Sequence, residues 1–70
     1  MSIDEKLDLI KLLTEMNGLM IVNKLEGKDS TELLVKIKKV AKKLSEEGLG
    51  TFDFTSDEKF LESLNNFLKV

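Results

Sequence analysis

Five lysines in eight positions, Lys36, Lys38, Lys39, Lys42 and Lys43, are the densest concentration of chemically capable side chains in this sequence. Amines spaced in this way along one helix side displace counterions from a phosphate backbone, so the group is a candidate nucleic-acid contact. The surrounding stretch is polarised in the same sense. Lys24 to Lys43 holds seven lysines against Glu26, Asp29 and Glu32, whereas Leu44 to Val70 holds two lysines against six acids. Those eleven lysines are the whole basic complement, so there is no arginine for bidentate guanine contacts and no Tyr or Trp for stacking. Acids at a helix start and lysines toward its end also complement the helix dipole, and Glu32 with Lys36 forms an i,i+4 pair, which explains much of the pattern without a ligand.

Catalysis finds few materials. Histidine and cysteine are absent, which removes imidazole bases, thiol nucleophiles, disulfides and the usual zinc ligands. The carboxylates fall in first turns and on polar helix sides, where dipole complementation accounts for them. Neither a phosphate loop at Gly27-Lys28 nor a calcium loop from Asp53 fits, because Asp29 follows the lysine and Glu58 stands where the calcium loop needs glycine. The sequence is read as a non-enzyme without metal, cofactor or small-molecule substrate.

Seventy residues and 7.9 kDa allow one domain, taken as residues 1–70. With 41% apolar and 34% charged residues and net charge −2 the chain is expected to fold, and to be cytoplasmic, since it begins with neither a basic nor a long apolar stretch. The longest apolar run, Leu19 to Val22, is too short to span a membrane.

The fold class is mainly α, a small bundle of three main helices. The first, about 2–17, opens on the capping box Ser2-Ile3-Asp4-Glu5, and Asn17-Gly18 is its expected stop. Residues 19–26 suit a short helix or a buried strand, with helix preferred, and Gly27 closes them. The second helix, about 30–47, has Asp29 as its cap and buries Leu33, Leu34, Ile37, Val40, Ala41 and Leu44 in a narrow arc. Val35 points away from that arc. Gly48 ends the helix in a Schellman motif that brings Leu49 back to Leu44. Thr51 to Thr55 alternates like a strand, burying Phe52 and Phe54 together, and a capping box from Thr55 starts the third helix at about 56–69.

Two resemblances accompany this order of elements. Gly27-Lys28-Asp29-Ser30 ahead of a helix resembles the prosthetic-group serine of acyl and peptidyl carrier proteins, although Thr31 replaces their aliphatic residue. Leu7 to Phe54, with its helix ending Leu44-Ser45-Glu46-Glu47-Gly48-Leu49, looks like a winged-helix regulator, which implies duplex binding through the second helix.

The first helix carries more apolar surface than one small core covers, with Ile3, Leu7 and Ile10 on one side and Leu9, Leu12 and Met16 on another. The favoured function is therefore a non-catalytic protein-interaction module, a homodimer or a subunit of a complex, that meets its partner through Leu9, Leu12, Met16 and Val35. The alternative is a winged-helix-like regulator using Lys36, Lys38, Lys39, Lys42 and Lys43.

Overall fold

The structure, a computed structural model, describes residues 2–69. Three helices run in the order α1 Ile3–Leu25, α2 Thr31–Glu46 and α3 Asp57–Leu68, and no strand occurs among the described residues. The class is mainly α, as the residue pattern implies. α1 is the axis of the molecule: its 23 residues, rising about 1.5 Å each, match the longest dimension of 37 Å.

α1 starts where expected, with Ser2 Oγ accepting the Glu5 N–H at 3.2 Å. It does not stop at Asn17-Gly18. The helix continues through both residues, and the ambiguous element 19–26 is its last two turns rather than a separate piece. Gly27 is the true stop, at φ +74°. The Lys28 N–H reaches the Asn23 carbonyl at 2.8 Å and the Gly27 N–H reaches that of Lys24 at 3.2 Å, the paired bonds of a Schellman motif. Two partners explain the continuation. Asn17 is buried and donates from Nδ2 to Asn65 Oδ1 of α3 at 3.1 Å, so its side chain does not compete for the local backbone. One turn on, Met20 packs against the core. These tertiary contacts outweigh the roughly 1 kcal/mol that glycine costs a helix interior.

α2 ends as the sequence implies: Gly48 has φ +74°, and the Leu49 N–H donates to the Leu44 carbonyl at 3.0 Å. Its start differs. Ser30 is the cap residue but makes no side-chain cap bond, while Asp29 Oδ1 instead accepts both the hydroxyl and the backbone N–H of Thr31. Asp53 and Thr55 repeat this turn before α3, whose cap is Ser56 rather than Thr55, accepting the Lys59 N–H.

The core is Leu13, Met16, Ile37, Ala41, Leu44, Phe52, Phe60 and Leu64, drawn from all three helices and the connecting segment. The segment 51–55 is not a strand and does not bury two rings. Phe52 is 7% exposed, with its ring edge-on to Phe67 at 5.1 Å, whereas Phe54 is 45% exposed and stacks on Phe60 from outside at 5.3 Å. The cause is the turn at Asp53, which bends the chain out of the two-residue alternation a pleated strand requires. Asp53 itself is half-buried, and its N–H donates to Ser63 Oγ at 3.1 Å. Gly50 is confined here, because an added Cβ would lie 2.8 Å from the Phe67 ring.

Candidate functional site

Among the described residues, three surfaces carry the exposed apolar and lysine side chains of α1 and α2. The first is a stripe along α1. At 100° per residue, Ile3, Leu7, Ile10, Ile21 and Leu25 share about 60° of arc. Four of them are substantially open to solvent: Ile3 74%, Leu7 58%, Ile21 45% and Leu25 83%. Thr14 lies between them with its hydroxyl turned to the Ile10 carbonyl at 3.0 Å, which satisfies its polar atom against its own helix. Gly18 follows, with nothing within 4 Å of where a Cβ would stand. Positions 3, 7, 10 and 14 follow the alternating four and three of a heptad seam, and Ile21 returns one heptad after Thr14.

The expected partner residues divide differently. Met16 is buried in the core and Leu9 is half-buried against it, so that side of α1 is an internal face of the domain. Leu12 and Val35 are exposed. Nor does 19–26 fold back to cover a side of the first helix, since it extends α1. Ile21 and Leu25 join this seam only because the helix runs through Gly18; a stop at Asn17-Gly18 places them in a separate element.

The second surface is a groove between α1 and α2, an open cleft of about 520 Å³. Leu12 and Met16 of α1 face Leu33 and Val40 of α2 across its floor, and Lys36 and Lys39 stand on the α2 rim. A second, smaller cleft shares Leu12 with it and is lined by Glu5, Asp8, Leu9 and Lys43.

The third surface is the lysine face of α2. Lys36, Lys39, Lys42 and Lys43 are exposed, and Val35 projects among them. Lys38 does not belong with these four. Its amine pairs with Asp57 at the start of α3 and stands 5.9 Å from the Phe60 ring centre, so it ties two helices together. The winged-helix resemblance loses its support, since the short second element is part of α1 and the wing has no strand. The carrier resemblance fares likewise. Asp29 is engaged with Thr31 in a turn that recurs at Asp53 and Thr55, a repetition that reads as helix-start architecture. In both turns the threonine hydroxyl, then its backbone N–H, holds the aspartate carboxyl below its usual range.

No helix among the described residues is long and apolar enough to cross a membrane. No family model matches the chain, and neither a curated protein nor a solved structure matches it.

Proposed function

We propose that the protein is a non-catalytic interaction module of the cytoplasm that pairs with a second copy of itself through the exposed stripe of α1. The observation that supports this reading is the unpartnered seam Ile3, Leu7, Ile21 and Leu25, about 33 Å long by helix rise. Isolated apolar residues on a surface need no explanation, but four aligned on one side of one helix form the kind of patch that marks an interface. A two-fold pair covers the same stripe on both copies and brings eight such side chains out of water. The absence of a side chain at Gly18 lets the two helix backbones approach closely near the middle of the seam.

Sedimentation over a hundredfold concentration range, paired with melting temperature, tests the reading. A dimer mass that dissociates on dilution, and a melting temperature that rises with concentration, are expected. In Leu7→Lys/Ile21→Lys both dependences should disappear while the helical signal stays, since neither residue belongs to the core. A constant monomer mass for the native chain would end the proposal.

The four exposed lysines of α2 favour a second reading, phosphate contact. Its test is salt-sensitive binding of a DNA duplex at low ionic strength.

A further inference from the structure

We infer that the groove between α1 and α2 receives an acidic amphipathic helix from another protein. The floor is apolar and shared by two helices, with Leu12, Met16, Leu33 and Val40 facing a single cleft, while the rim contributes only the amines of Lys36 and Lys39. No carboxylate lines this part of the groove, and on this side of α2 only Glu32, one turn before Lys36, offsets the two amines, so a complementary partner carries acids beside its apolar face. The dimensions suit a helix. Leu33 and Val40 are seven residues apart, about 10 Å along α2, which corresponds to two turns and to anchor side chains at i, i+3 or i+4, and i+7 of a docked helix. A compact small molecule would require convergent buried polar groups to orient it, and the residues around this cleft supply none beyond the rim amines.

The neighbouring cleft that shares Leu12 is mixed in charge, with Glu5 and Asp8 accompanying Lys43. The partner's acids therefore belong beside Lys36 and Lys39, away from Glu5 and Asp8. Around α1, Leu12 lies nearly opposite the Ile3 to Leu25 stripe at 100° per residue. Occupation of the groove and pairing through the stripe therefore use different sides of one helix and do not compete.

The test uses the full chain, isotopically labelled, and two synthetic 14-residue helical peptides. One carries leucine at every third or fourth position and glutamate elsewhere, and the other has lysine in place of each glutamate. The glutamate peptide is expected to shift the NMR signals of Leu12, Leu33 and Val40. Its affinity should fall on the order of tenfold in Lys36→Glu/Lys39→Glu, whose substituted side chains are exposed and whose fold is checked by circular dichroism. The lysine peptide should bind at least tenfold more weakly. Three results would each overturn the inference: equal binding of the two peptides, shifts confined to Ile3, Leu7, Ile21 and Leu25, or no shifts with either peptide at millimolar concentration. A duplex that moves these signals when the glutamate peptide does not would assign the rim to phosphate instead.

Discussion

Asn17 and Asn65 lie 48 positions apart in sequence and share one hydrogen bond, from Nδ2 of the first to Oδ1 of the second at 3.1 Å. This bond joins the midpoint of α1 to α3. It also allows an asparagine to occupy a position that the surrounding apolar side chains would otherwise claim.

Removing one member leaves the other amide without its partner in a part-buried site. Asn17→Ala should therefore destabilise by about 1–3 kcal/mol, and each kcal/mol lowers the melting temperature by roughly 4–8 °C in a domain of this size. The double replacement Asn17→Leu/Asn65→Leu should recover much of that loss. If Asn17→Ala and Asn65→Ala simply add in the double variant Asn17→Ala/Asn65→Ala, the hydrogen bond is not the interaction at stake.

Phe52 and Phe54 should part company under mutation. Phe52→Ala vacates a core position and is expected to cost about 3–5 kcal/mol. Phe54→Ala removes a ring stacked on Phe60 but half open to water, and should cost about 1–2 kcal/mol. Urea denaturation decides between this and burial of both rings, which would make the two values equal.

Acid should act through the two aspartate turns. A carboxyl with a lowered folded-state pKa contributes stability that is complete above the unfolded value of about 3.9 and is lost as pH falls through the folded value. Both Asp29 and Asp53 are of this kind. Their contribution should be flat from neutral pH down to about pH 5 and decline below about pH 4. Asp53→Ala should lower the neutral plateau, and its difference from the native chain should narrow as the pH falls below about 4; a difference that does not change with pH would exclude ionisation as the cause.

The lysines should separate by role. Lys38→Gln is expected to lower stability by about 0.5–1 kcal/mol through loss of the Asp57 pair and the Phe60 contact, with a smaller effect at high salt. Lys39→Gln should leave stability unchanged. If the native chain binds duplex DNA, replacing Lys36, Lys39, Lys42 and Lys43 together should reduce the log–log salt slope by about 3.6. A slope that moves as much with Lys38→Gln alone as with the four would contradict the division drawn here.

The features legible in the sequence are those decided within a few residues. The Ser2 cap, the Gly48 ending with Leu49 over Leu44, and the buried arc from Leu33 to Leu44 all depend on neighbours within one or two turns. Asn17-Gly18 was misleading because the partner that keeps it helical is Asn65, which no local window contains. Phe54 was misleading because alternation of residue types resembles a strand until the carboxylate of Asp53 folds back onto Thr55. The candidate surfaces depend on the same distant contact: a helix cut at Asn17 separates Ile21 and Leu25 from Ile3 and Leu7, and leaves Met16 without the core it joins.

The unbroken course of α1 through Asn17-Gly18 also governs how a molecule of this protein ages. In an open chain the backbone nitrogen after an asparagine attacks that residue's side-chain carbonyl and expels ammonia, and a following glycine offers the least obstruction. Within α1 the Gly18 nitrogen belongs to the helical ladder and the Asn17 amide is held by Asn65, so the two reacting atoms are kept in the wrong geometry. Only chains that have opened can react. Water then opens the cyclic imide that this leaves, so the product carries a carboxylate where the native fold buries a neutral amide, and burying an unpaired charge is strongly unfavourable. Ammonia release therefore records the unfolding history of the population, and each recorded event removes that chain from the pool able to refold.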